Sequence, residues 1–154
     1  MNALAPLING LRTLGNNTPV LNSWAGDGTY WLPKSPAISN YFFVTYANAF
    51  GQDPNNAINT LAKQIMAGTG GFVAGPAAID GVVTAIKRAH GSLNGATLAA
   101  VMQKFHKVPT LSGLVSFSPK LHSVFGRAYR IIEIDNNTPK ELGTVTAKVV
   151  PSIG

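Results

Sequence analysis

The chain has 154 residues, 45% of them hydrophobic, 12% charged and none a cysteine. That length fits one domain with a sizeable core, the apolar content excludes a disordered chain, and the missing cysteines exclude disulfides and thiolate metal centres. Twelve Lys and Arg against six Asp and Glu give a net charge of +6, but the basic residues are scattered singly, with only Lys87 and Arg88 adjacent, unlike the clustered basic and aromatic face of a nucleic-acid binder.

Leu4, Leu7, Ile8, Leu11 and Leu14 form a helical stripe, with Pro6 in the first turn and Gly15 at the end. Met1-Asn2-Ala3-Leu4 has no basic start of a secretory signal, and no apolar run approaches a membrane span. Neither an export signal nor an anchor is expected from the chain as written. Asn16–Pro19 turns into a short strand over Pro19–Ser23, and Trp24–Trp31 reads as a glycine-punctuated loop. Pro33 and Pro36 keep Leu32–Ser39 irregular, and Asn40–Tyr46 is β-branched and aromatic, a strand. Asp53 with Pro54 reads as the cap and first turn of a helix over Asn55–Ala67, with Ile58, Leu61 and Ile65 inward and Gly68 closing it.

The next helix carries Ile79, Val82, Val83 and Ile86 on one face. Pro76 suits its first turn, Lys87, Arg88 and His90 its last, and Gly91 its left-handed end. Asn94 caps a further helix with Leu98, Val101, Met102 and Phe105 as its apolar side. This pair is expected to nucleate the core. After it come a strand over Leu114–Phe117, an alternating strand over Arg127–Asp135, a turn at Asn136–Pro139, and a returning strand over Leu142–Val150. The expected class is α/β, without the regular alternation of a βαβ series.

No nucleophile elbow, phosphate loop or zinc-protease motif occurs. His90, His106 and His122 are far apart and read as capping or surface residues, and the carboxylates form no evident acid–base pair. No catalysis, cofactor or metal is expected. The informative stretch is Ser23–Trp31, which follows a strand and carries two tryptophans, a tyrosine and Asp27. Ligands of α/β sheets bind beyond the carboxyl ends of strands, and aromatics with one placed charge suit a small organic solute. Composition weighs equally the alternative that Trp24 and Trp31 pack the loop onto the domain and Asp27 serves a turn.

Four segments in order carry a resemblance. LRTLGNNTPVLNSW (Leu11–Trp24), NYFFVTYANAFGQDP (Asn40–Pro54), GPAAIDGVVTAIKRAHGSLNGATLAAVM (Gly75–Met102) and FHKVPTLSGLVSFSPKLHSVFGRAYRIIEID (Phe105–Asp135) resemble the C-terminal part of the type I periplasmic solute-binding proteins, the leucine/isoleucine/valine-binding family of ABC importers. The resemblance implies the C-terminal portion of a periplasmic-binding-protein-like fold with three-layer αβα lobes, incomplete and completed by oligomerisation. Residues 1–46 and 114–154 resemble second-lobe and hinge segments, and 47–113 a helical part of the first lobe. It also implies a non-catalytic, extracytoplasmic protein that binds an amino acid or an aromatic or carboxylate solute between lobes and delivers it to a membrane permease. By the same resemblance Trp24 would wall the solute, Asp27 pair a cation, Ser23 donate a hydrogen bond, and Phe72 line the pocket from the opposite lobe. Trp24 stands near where some members place the carboxylate for an amino-acid ammonium, and Asp27 would substitute for it. The alternative is a non-enzymatic, homo-oligomerising interaction module that has lost solute binding.

Overall fold

The structure is a computed structural model and describes residues 3–122, 124 and 127–148. Its contacts divide it into two compact units, Met1–Phe72 with Tyr129–Val145, and Val73–Ala128 with Thr146–Gly154.

The first unit is built on one four-stranded sheet. Strands β1 (Val20–Asn22), β2 (Tyr41–Thr45), β5 (Ala128–Asp135) and β6 (Thr138–Thr146) lie side by side in that order. β1 and β2 run parallel, Val20 opposite Tyr41, and β5 runs antiparallel to β2, Phe43 opposite Ile132. Alternation sets the inner face. Tyr41 and Phe43 of β2 meet Ile132 and Ile134 of β5, and Ile8, Trp31 and Ile38 complete the cluster. Ile8 is the buried residue of α1 (Leu4–Thr13), whereas Leu7 and Leu14 of the expected stripe are exposed. Asn136 and Asn137 both take positive φ, the conformation a two-residue hairpin turn demands, so β6 begins at Thr138, earlier than expected. The expected strand end at Val149–Val150 lies outside the described residues.

Helix α2 (Asn56–Gln64) is capped by Asn55, whose side chain accepts the Ala57 N–H. Asp53 therefore is not the cap. It is buried and held bidentately by Arg130, Nε to Oδ2 and Nη2 to Oδ1, both at 2.8 Å, and it also accepts the Asn48 and Asn55 N–H groups. The helix ends before the expected Ala67 because Met66 turns the chain at φ 51°.

The second unit holds α3 (Ala74–Arg88), α4 (Gly95–Met102) and a hairpin of two three-residue strands, β3 (Val108–Thr110) and β4 (Gly113–Val115). β3 was not foreseen. Asn94 caps α4 as expected, accepting the Thr97 N–H. The inward face of α3 is a correction to the sequence reading. Gly81 and Ala85 are its buried residues, while Ile79, Val82 and Val83 are exposed. Small residues turn inward because Phe105 lies over them: a Cβ on Gly81 would sit 4.0 Å from the Phe105 ring. Arg88 covers that ring at 5.2 Å.

Candidate functional site

Because β1 and β2 are parallel, their carboxyl ends lie at the same edge of the sheet. The segment after β1 begins with Ser23, whose hydroxyl accepts the Ala25 N–H and starts a 3₁₀ turn over Trp24–Gly26. Gly26 has no room for a Cβ, which would collide with the Tyr41 hydroxyl and the Asn22 amide. Tyr41 itself donates to the Gly26 carbonyl at 3.1 Å and accepts from Asn22 Nδ2 at 2.9 Å. Burial pushes its hydroxyl pKa up to about 12, so it stays a neutral donor at any physiological pH. Gly28 follows at φ +91°, a conformation that favours glycine. Asp27 is thus fixed between two positions that both require glycine.

Asp27 is 5% exposed. Its Oδ2 accepts from Thr45 Oγ1, at the carboxyl end of β2, and from the Gly71 N–H at 3.2 Å. Its Oδ1 is buried and has no hydrogen-bond partner among the described residues. Burial raises the Asp27 pKa above the ordinary carboxylate value, opposed by the Thr45 hydroxyl and by the nearby backbone N–H groups of Gly70, Gly28 and Gly71, of which that of Gly71 alone is aligned for a hydrogen bond. Gly70 makes this approach possible, since a Cβ there would run into the Ala47 carbonyl and the Thr45 hydroxyl.

Above Asp27 lies a hollow of about 130 Å³ lined by Trp24, Ala25, Asp27, Tyr30, Thr69 and Gly71. Trp24 and Tyr30 are 56% and 71% exposed, leaving much of their surface open to a ligand. Trp24 also stacks on Tyr46 with ring centroids 6.0 Å apart, and Tyr46 packs on Tyr129 at 5.7 Å. A larger groove of about 580 Å³ along α2 includes Phe50, Asn59, Lys63 and Met66. Its one amide, Asn59, is engaged with the backbone of Asp53, and no buried charge lines it.

Of the four residues singled out from sequence, Trp24 and Asp27 line the hollow. Ser23 accepts the Ala25 N–H within its turn and is not among the residues that line the hollow, and Phe72 is half-buried in the 3₁₀ segment Gly70–Val73, whose Gly71 rather than Phe72 faces the hollow. Trp31 is a core residue, edge-on to Tyr41 at 4.8 Å. Sequence reasoning missed Thr45 and Gly71, which hydrogen-bond Asp27 from distant parts of the chain, and Thr69, which lines the hollow beside it. Among the described residues no group of three or more His, Cys, Asp or Glu could hold a metal ion. None of the described helices is long and apolar enough to cross a membrane.

No family model and no curated protein sequence matches this chain. Solved structures do match. The leucine-binding protein LivK of Thermotoga maritima superposes with a TM-score of 0.70 at 15% identity, over 92% of this chain and 41% of its own length. The branched-chain amino-acid transporter substrate-binding protein LivJ of Streptococcus pneumoniae, in complex with isoleucine, gives 0.69 at 15% identity over 93% and 41%. An ABC-transporter solute-binding protein of Rhodopseudomonas palustris, in complex with p-hydroxybenzoic acid, gives 0.67 at 15% identity over 94% and 41%. The chain has the α/β fold of part of the type I periplasmic solute-binding proteins and spans about two-fifths of their length.

Proposed function

We propose that this chain, built on the fold of ABC-importer solute-binding proteins, binds a small organic solute without transforming it, and that the solute carries an amine. The observation that carries this reading is Asp27: a buried carboxylate with one oxygen unpartnered, beneath exposed aromatic rings, at the carboxyl ends of two parallel strands. A buried acceptor without a donor is costly. An ammonium in the hollow would donate to it, and the Trp24 and Tyr30 rings would stabilise the same cation through their faces. Ser23 would hold the turn rather than touch the solute, and Phe72 would act through the position of Gly71. The reading extends to an extracytoplasmic protein that presents its solute to a membrane permease. It is supported by the function of the structural neighbours, two of which are named for leucine or branched-chain amino acids.

Calorimetry with leucine, phenethylamine and 4-hydroxybenzoate tests the proposal. A hollow of this size grips only a few atoms, so affinities on the order of millimolar are expected. The two amines should bind and 4-hydroxybenzoate should not, and Asp27→Asn should weaken amine binding at least tenfold. Equal binding of 4-hydroxybenzoate by the wild type and the variant would contradict the assignment.

A further inference from the structure

The walls of the Asp27 hollow carry one charge, and it is negative. Its lining is Trp24, Ala25, Asp27, Tyr30, Thr69 and Gly71, so among the described residues no lysine, arginine or histidine borders it. The best-placed donors are already engaged. The Thr45 hydroxyl and the Gly71 N–H are directed at Asp27 Oδ2, and the Ala25 N–H is taken up by the Ser23 hydroxyl. The side-chain donors on the wall are neutral: the Trp24 indole N–H and the hydroxyls of Tyr30 and Thr69.

This lining bears on the rest of the solute. An α-amino acid carries its carboxylate one carbon from the ammonium. With the ammonium on Asp27 Oδ1, that carboxylate would lie a few ångströms from Asp27, well inside a Debye length. Like charges at such range repel, and a carboxylate leaving water needs a cation or several aimed donors in return. The hollow supplies neither. Isoleucine and p-hydroxybenzoic acid, the ligands of two structural neighbours, each carry a carboxylate, so the chemistry of this hollow departs from both.

We propose that the solute class of this site is an amine without a carboxylate, an alkylamine or arylalkylamine, and that α-amino acids are disfavoured by their own carboxylate. The inference rests on the amine reading of Asp27. Such a molecule sets its ammonium on the oxygen that lacks a donor and its apolar body against the exposed Trp24 and Tyr30 rings. Calorimetry at about pH 6.5, where the amino groups are largely protonated, compares three ligands. Leucine differs from 3-methylbutylamine only by its carboxylate, and leucinamide matches leucine in size without the negative charge. The amine is expected to bind at least fivefold more tightly than leucine, with leucinamide recovering most of the difference. Thr69→Lys, which places a cation on the wall, should narrow the gap by strengthening leucine and weakening the amine. Leucine bound as tightly as 3-methylbutylamine, with both weakened by Asp27→Asn, would overturn this inference and leave the amine site standing. Leucinamide as weak as leucine would overturn it too, because size rather than charge would then be the barrier. Binding of no amine, or binding indifferent to Asp27→Asn, removes the site itself and the inference with it.

Discussion

Asp27 combines a buried position with an incomplete set of partners, and this has a consequence for pH. Burial raises its folded-state pKa above the ordinary carboxylate value, so the folded state holds its proton more tightly than the unfolded one. Its contribution to stability is therefore fully present below about pH 4 and is lost as pH rises through the folded pKa. Urea denaturation midpoints from pH 3 to 7 should show this as a falling difference between wild type and Asp27→Asn. A bound cation should reverse the trend, because it favours the ionised carboxylate. The neighbouring tryptophans separate by burial. Trp24→Ala should cost under about 1 kcal/mol, as expected for a largely exposed ring without core packing. Phe105→Ala, by contrast, empties the core of the second unit and should cost about 3–5 kcal/mol. Urea melts of both variants check this, and equal losses would make Trp24 a structural plug. The sequence made Asp27 conspicuous through its flanking glycines. Nothing in it disclosed that Gly71, forty-four positions away, donates to the same carboxylate, because a single backbone N–H leaves no signature in a sequence.

At the scale of elements, the segment after β2 is fixed by an ion pair rather than by a helix cap. Arg130 of β5 reaches Asp53 with side chains 11% and 0% exposed and also donates to the Tyr46 carbonyl at 3.2 Å. Removing one partner of such a pair strands the other charge in the interior. Arg130→Met should therefore destabilise the first unit by about 3–5 kcal/mol, measured by chemical denaturation, and should disturb the Tyr46 contact with Trp24. The N-cap reading of Asp53 failed because Asp–Pro before a helix is a local signal, whereas Arg130 lies seventy-seven positions on. Strand β2 was legible from its β-branched and aromatic composition and β5 from alternation, and Tyr41, Phe43, Ile132 and Ile134 all point inward. Helix α3 shows the limit of periodicity. Spacing established that Ile79, Val82 and Val83 share a face, and that inference holds. Which face is covered depends on what lies opposite, and Phe105 packs instead over Gly81 and Ala85.

Across the whole molecule, the α/β class and the likeness to solute-binding proteins were both legible, because element order and patterning persist at 15% identity where individual residues do not. The Asp27 hollow can be assembled within the first unit alone, from the loop after β1, the end of β2 and the turn before α3. The central claim is that this hollow selects an amine. It is tested most directly by nuclear magnetic resonance titration of the labelled chain with leucine and with 4-methylpentanoate, which differs from leucine in lacking the amine. The reporter is the amide of Gly71, which donates to Asp27. Leucine should shift that signal progressively and saturably into the millimolar range, while 4-methylpentanoate should leave it in place. Equal shifts with the two compounds, or an undiminished leucine response in Asp27→Asn, would contradict the account.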